Sequence, residues 1–235
     1  MKNISLYKII FWDFDGVIKE STAAKTKAYV DLFKSYGAEV QSKVQQHHLQ
    51  NGGISRFVKI PYYFETFAGK KLSPKEEQLE LERYRKMTLD AVVDSMWVPG
   101  AIEYIQNQYM HQDFYIVTGT PQDDINIICE RLDLKKYFKG IFGAPETKTK
   151  IVSRVMEKNH SDKNKFLFIG DALADYEASQ KNEIDFLLRQ NRENHDLFAG
   201  IDVDKINDFT EMNHMEKKSK AVAMEPTETQ LRHAF

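Results

Sequence analysis

The sequence predicts an α/β fold, a Rossmann-like doubly wound parallel sheet into which an α-helical segment is inserted. Three observations carry this. Short, dense apolar runs recur at residues 8–12, 114–117, 141–142, 166–169 and 185–188, each closed by a polar or glycine-containing turn. Such runs lack clean alternation, as strands do when both sheet faces are covered. Helical periodicities fall between the later runs, giving the strand–helix alternation of a doubly wound domain. From about residue 20 to 92, by contrast, only helical patterns occur.

In chain order, the first run opens the sheet and stops at Asp13. It has no small-residue cleavage site, so it does not read as a signal peptide, and no apolar stretch is long enough to span a bilayer. In the following segment, Ala24, Ala28, Leu32 and Tyr36 share one helical stripe, with Gly37 as its stop. Tyr62, Tyr63, Phe64 and Phe67 read as this segment's own core, and His47 and His48 as packing or surface residues. Ser73-Pro74 starts a further helix with a heavily charged Leu79-Glu80-Leu81-Glu82-Arg83 centre. After Pro99-Gly100, Ile102, Ile105 and Tyr109 define a helix face. Ile125, Ile128, Cys129 and Leu132 define another, with Asp123 and Asp124 in a first turn where the helix dipole favours negative charge. Residues 1–19 and 93–210 therefore form the sheet domain, and 20–92 the helical insert. Residues 211–235, with Glu216-Lys217-Lys218-Ser219-Lys220, read as a loosely packed tail.

Composition narrows the function classes. The chain has 235 residues, 42% of them hydrophobic, enough for a packed interior. A formal net charge of -2 leaves no basic footprint, so nucleic acid is not the expected partner. The one cysteine, Cys129, excludes an intramolecular disulfide and a cysteine-built zinc site, and on its apolar helix face reads as inert. A cytoplasmic setting is the expectation.

Chemistry concentrates at the ends of the predicted strands. The first ends Asp13-Phe14-Asp15-Gly16, two carboxylates at the sheet edge where open α/β sheets bind ligands. A carboxylate can attack phosphorus, and a neighbouring one can deliver and retrieve the proton. Gly16 lets the chain turn close to a ligand. The second ends Thr118-Gly119-Thr120-Pro121, a hydroxyl with free backbone amides suited to a phosphate oxygen, or an ordinary strand-to-helix turn. Lys148 and Lys150 follow Gly143-Ala144-Pro145, and Gly170-Asp171-Ala172-Leu173-Ala174-Asp175 adds two carboxylates after the fourth.

These segments, in this order, resemble the four motifs of the haloacid dehalogenase superfamily across about residues 6–190: Asp-x-Asp-Gly at Asp13–Gly16, a strand-closing Thr118, a lysine, and Gly-Asp-x-x-x-Asp at Gly170, Asp171 and Asp175. Lys148 matches the lysine best, because Gly-Ala-Pro-Glu-Thr-Lys resembles the family's Gly-x-Pro-x-x-Lys form; Lys150 is the runner-up. The resemblance implies Asp13 as nucleophile and metal ligand, the Asp15 carbonyl as a second ligand, and its side chain as general acid and base. It implies Asp171 as a ligand, Asp175 as a direct or water-mediated one, and Thr118, Gly119 and Lys148 around the phosphoryl group. A cation is also required electrostatically, since like charges ~4 Å apart repel by ~4 kcal/mol at an effective dielectric near ~20. An oxygen-only donor set suits Mg²⁺.

Asp15 argues against dehalogenases and phosphonate hydrolases, which lack that second aspartate. The insert resembles the family's helical cap, which suits small phosphorylated metabolites. Within it, Gly52-Gly53-Ile54-Ser55-Arg56 resembles a substrate-reading loop. Arg56 would either grip a carboxylate or second phosphate, or sit on a solvated helix start. The expected activity is Mg²⁺-dependent hydrolysis of a sugar phosphate or phosphorylated organic acid through an aspartyl phosphate. The rivals are a β-phosphoglucomutase-like phosphomutase and a non-catalytic metal- or phosphate-binding module.

Overall fold

A computed structural model describes residues 3–213. Six parallel strands form one sheet: β1 (Ile9–Trp12), β2 (Asp113–Pro121), β3 (Gly140–Ala144), β4 (Phe166–Gly170), β5 (Asp185–Arg189) and β6 (Asp204–Ile206), in the order β3-β2-β1-β4-β5-β6. The five apolar runs are five of these strands. The sixth, three residues with a polar start, has no apolar run to announce it. Every residue of β1 and β4 is buried, as central strands covered on both faces must be. Order reverses about β1, so the tips of β1, β2 and β4 converge on one crevice.

The helices that cover the sheet are α5 (Ala101–Gln108), α6 (Gln122–Arg131), α7 (Lys148–Asn159) and α8 (Leu173–Asn182). On one face Ile10, Trp12, Phe114, Ile116, Tyr104 and Ile125 form a core; on the other, Phe11, Phe166, Phe168, Ile151 and Val155 form a second. Alternating strand side chains thus feed two separate interiors.

Between β1 and α5 lies an all-helical unit of α1 (Thr22–Leu32), α2 (Ala38–Gln50), α3 (Arg56–Thr66) and α4 (Pro74–Asp94). It has its own core of Ala28, Tyr29, Leu32, Phe33, Tyr63, Phe64 and Tyr84. The expected aromatic group divides: Tyr63 and Phe64 are buried, whereas Tyr62 is 41% exposed. The Ser73 side chain caps α4 reciprocally with Glu76, with Pro74 in the first turn, which is why this helix begins where it does. Entering and leaving chains lie side by side. Glu20 N–H donates to Met96 O at 2.8 Å and Val98 N–H to Ile18 O at 3.0 Å, and Lys19 bridges Trp97. The paired linkers make the unit an insert on a two-stranded stalk.

Among the described residues no helix is long and apolar enough to cross a membrane. The tail expected from residue 211 lies outside the described residues from 214 onward. Before that point Met212 is buried and Asn213 Nδ2 donates to Gly100 O at 2.9 Å. Phe209 is fully buried, its ring centroid 5.1 Å from that of Trp12. The segment after β6 thus seals the core beneath β1. Phe209→Ala should cost about 3–5 kcal/mol of unfolding free energy, read by urea denaturation, because the cavity would open against Trp12 and Tyr104.

Candidate active site

The site grows from the tips of three strands. β1 runs into Asp13, whose backbone N–H donates to Ile169 O of β4 at 2.9 Å. The chain then turns sharply at Gly16, which has φ +78. A Cβ there would stand 2.0 Å from Asp171 Oδ2, so only glycine permits both the turn and the approach. β4 ends at Gly170, and Asp171 and Asp175 follow at the start of α8. One carboxylate oxygen from each of Asp13, Asp171 and Asp175 lies within 4.8 Å of the others.

Lys148, at the start of α7, is the counter-charge. Its Nζ is 2.5 Å from Asp175 Oδ1 and 3.1 Å from Asp13 Oδ1, and the residue is buried. Lys150, by contrast, is exposed. Geometry therefore separates the two candidate lysines. Proximity to Asp13 and Asp175 outweighs burial and raises the Lys148 ammonium pKa, keeping it charged. One cation does not balance the group. Burial, with Asp175 and Asp15 nearby, raises the Asp13 carboxyl against the pull of Lys148, and burial with Asp13 raises Asp171 well above its ordinary value. Asp13 Oδ1 is buried with only the Lys148 ammonium, 3.1 Å away, against it and no further hydrogen-bond partner.

These features fit a divalent cation: the donors are all oxygens, one is orphaned, and the excess charge is negative. Asp13 and Asp171 are the more available donors. Both Asp175 oxygens are engaged, Oδ1 by Lys148 and Oδ2 by the Ala172 N–H at 3.1 Å. Asn191 Nδ2 donates to Asp171 Oδ2 at 3.3 Å and Asn194 Nδ2 to Asp171 O at 2.8 Å, orienting that residue from the loop after β5.

Asp15 faces the same cavity but is held differently. It accepts from Ser21 Oγ at 2.5 Å, from Thr120 Oγ1 at 3.0 Å and from Lys25 Nζ. Although burial opposes ionisation, the Lys25 charge and these hydrogen bonds together lower the Asp15 carboxyl below its ordinary value. Lys25 Nζ also donates to Thr120 Oγ1 at 2.7 Å. Thr118 is 1% exposed, and its Oγ1 accepts from the Thr120 N–H at 3.2 Å, which ties the Thr118–Thr120 turn to itself.

The helical insert closes over these groups. Gly52, Gly53 and Ile54, the expected substrate-reading loop, line the cavity with Asp13, Asp15 and Thr118. The loop sits so low that a Cβ on Gly119 would lie 2.2 Å from Gly53 O. Arg56 belongs to the same loop end and lines the same cavity, but not as a free guanidinium on a solvated face. It is 8% exposed rather than solvated, and its Nη1 binds Asp124 Oδ2 at 2.5 Å. Arg85 Nε takes the other oxygen at 2.7 Å. Asp124 lies on α6 of the sheet domain, so two insert arginines clasp one core carboxylate; a buried arginine beside an acceptor pairs with it rather than waiting for a ligand.

A nucleophile-capable carboxylate at a parallel-strand tip, roofed by helices on a stalk, defines a capped α/β enzyme. The family model described as haloacid dehalogenase-like hydrolase matches residues 9–188, and the chain belongs to this hydrolase family. Solved structures agree in fold. A β-phosphoglucomutase from Clostridium difficile superposes with a TM-score of 0.69 at 18% identity, covering 92% of this chain and 99% of that one. A putative phosphoglycolate phosphatase from Lactobacillus plantarum gives 0.70 at 14%, covering 88% and 98%. A putative hydrolase of the same family from Bacillus subtilis, bound to magnesium, gives 0.65 at 19%, covering 89% and 98%. At such identities the likeness is one of fold. No curated protein sequence matches the chain.

Of the residues that the sequence singles out, Asp13, Asp15, Arg56, Thr118, Gly119 and Asp171 line one cavity, and Lys148 and Asp175 lie beside Asp13. Lys25, Asn191, Asn194 and Asp124 were not singled out as site residues. Lys25 sits one helical turn past Ser21 on the helix that follows Asp15, which is the one signal that could have found it. Gly119→Ala should obstruct seating of the Gly53 loop and lower kcat/KM by about ten- to a hundredfold while leaving the far-ultraviolet spectrum unchanged.

Proposed function

We propose that the chain is a Mg²⁺-dependent phosphatase that hydrolyses a small phosphomonoester, a sugar phosphate or phosphorylated organic acid, through an aspartyl phosphate on Asp13. The observation that carries this is the juxtaposition of a buried, unbonded Asp13 oxygen with Lys148 on one side and Asp15 at the same cavity.

In this reading a carboxylate oxygen of Asp13 attacks phosphorus, a P–O bond to Asp13 forms, and the ester P–O bond breaks. The leaving oxygen takes a proton from Asp15, which the negative phosphoryl group beside it would hold protonated against the Lys25 charge that lowers it in the free site, and the alcohol departs. A water then loses a proton to Asp15 as its oxygen attacks phosphorus; the P–O bond to Asp13 breaks, and inorganic phosphate leaves with Asp13 restored. Thr118 and the Gly119 N–H would hold the phosphoryl oxygens, with Lys148 offsetting their charge. Asp13, Asp171, the Asp15 carbonyl and, directly or through water, Asp175 would hold Mg²⁺. When bound, the ion supplies positive charge to the transferring phosphoryl group. The clasped insert excludes bulk water and limits the substrate to a small molecule.

The direct test is phosphate release from a panel of small phosphomonoesters with and without Mg²⁺. Free phosphate as product supports hydrolysis, whereas isomerised sugar phosphate in its place would replace it with a mutase. Asp13→Asn should reduce turnover to background with the fold intact; near-normal rates would remove Asp13 as nucleophile. Asp15→Asn should slow alkyl phosphates by about 10²–10⁴-fold and p-nitrophenyl phosphate far less, because a good leaving group needs little protonation. Because Asp13 and Asp171 are raised, protons compete with the cation. Apparent Mg²⁺ affinity, measured by calorimetry, should fall as pH is lowered from about 8 to about 6, with protons released on binding.

A further inference from the structure

One buried charge in the insert has no part in the reaction described above. Lys59, on α3, is 2% exposed. Its Nζ lies 2.9 Å from His48 Nδ1 on α2 and 5.7 Å from the ring centroid of Tyr29 on α1. Among the described residues no carboxylate pairs with it. The other cations around the cavity are all engaged: Lys25 with Asp15, Lys148 with Asp13 and Asp175, Arg56 with Asp124. A buried lysine whose neighbours are an imidazole and a ring lacks the opposite charge that its ammonium form needs.

Its position relative to the reacting groups is set by α1. Thr22, Lys25, Thr26 and Tyr29 all line the cavity that Lys59 and His48 share with Asp13, Asp15 and Thr118. Lys25 touches Asp15, and Tyr29, which stacks near both His48 and Lys59, is four residues on, about 6 Å further along the helix. Lys59 and Asp13 therefore line one cavity, and a single small molecule that fills it meets both. The structure offers one positive charge at Lys59 and a neutral partner, since burial and the Lys59 charge hold the His48 imidazole well below its usual pKa. One ammonium balances one carboxylate, whereas a phosphate dianion would leave excess negative charge in a closed pocket.

We propose that Lys59, oriented by His48, is a subsite for a substrate carboxylate, so that the preferred substrate is a short-chain phosphorylated carboxylic acid. The assignment rests on the phosphatase reading for the placement of the phosphate, but the subsite can be measured without turnover. Burial, together with the Lys25 and Lys148 charges, pushes the Lys59 ammonium down to about 7 in the free protein. His48 and Tyr29 are the other titratable groups against it, on α2 and α1. A bound carboxylate raises its pKa again, so the lysine takes up a proton on binding above neutrality.

Two pairs of probes test this. For turnover, kcat/KM for 2-phosphoglycolate is divided by that for ethyl phosphate, which lacks the carboxylate. The ratio should favour the acid in the wild type, fall on the order of thirtyfold or more in Lys59→Met, mainly through KM, and recover in part in Lys59→Arg. For binding, phosphonoacetate and ethylphosphonate, which are not hydrolysed, are titrated at about pH 8 in two buffers of different ionisation enthalpy. Phosphonoacetate should bind more tightly, with proton uptake in excess of that seen with ethylphosphonate, and Lys59→Met should remove the excess. A wild type with no preference for the acid in either pair overturns the subsite, even if no variant folds. An equal loss on both substrates in Lys59→Met also overturns it, leaving Lys59 a packing residue. If no ester releases phosphate but phosphonoacetate binds in the Lys59-dependent way, the subsite stands and the hydrolysis reading falls.

Discussion

Mutual repulsion among buried carboxylates governs this molecule. Asp13, Asp171 and Asp175 are brought together by the register of β1 and β4, which sets their backbones side by side at the strand tips. Lys148 relieves part of that repulsion, and the remainder is stored as carboxyl groups reluctant to ionise. Such a site is unfavourable alone and favourable once positive charge arrives, the condition under which a protein binds a hard cation and a phosphate together. The glycines follow from the same constraint. Gly16 approaches Asp171 closely because its turn is pinned between two strand tips, and a Cβ has no space there.

The insert extends this electrostatic logic across the cavity. Asp124 on the sheet domain draws in Arg56 and Arg85 from two different insert helices, and the seated Gly53 loop shields the carboxylates from water. Shielding strengthens every charge interaction beneath it, so clasp and carboxylate cluster are energetically linked although they share no atom. The paired linkers at Ile18–Glu20 and Met96–Val98 are the mechanical counterpart: two short extended segments bonded to each other, the kind of joint about which a cap can rotate as a unit.

Legibility in the sequence followed the range of the interaction that fixes each feature. Five strands were readable because apolar density is local, and β6 was not, because three residues paired only with β5 acquire strand character from that neighbour. Asp13, Asp15, Thr118, Asp171 and Asp175 could be proposed because strand tips in an open α/β sheet converge by topology, so order along the chain already implies nearness, whereas the preference for Lys148 over Lys150 came from the resemblance to the Gly-x-Pro-x-x-Lys form. The partners of those residues were not. Nothing local in Gln190-Asn191-Arg192-Glu193-Asn194 says that two amides orient Asp171, and nothing in Asp123-Asp124 separates a helix-dipole aspartate from the anchor of two arginines. Arg56 shows the reason most directly. Its neighbours in sequence suggested a free guanidinium near a ligand, but its fate was decided by an aspartate 68 positions away.

That distant pairing also determines which charges remain open. The interior of the cavity holds cations in excess on its insert side and carboxylates in excess on its sheet side. Once Lys25 is matched with Asp15, Lys148 with Asp13 and Asp175, and Arg56 and Arg85 with Asp124, negative charge is left in excess at the strand tips, and Lys59, its ammonium pushed down to about 7 by burial, is left without a carboxylate partner among the described residues. A molecule bridging the two would need to bring a cation and a phosphate to one end and a single negative charge to the other. Selectivity in such an enzyme then lies in the charges that the fold leaves unpaired, and these become visible only after every paired charge has been assigned its partner.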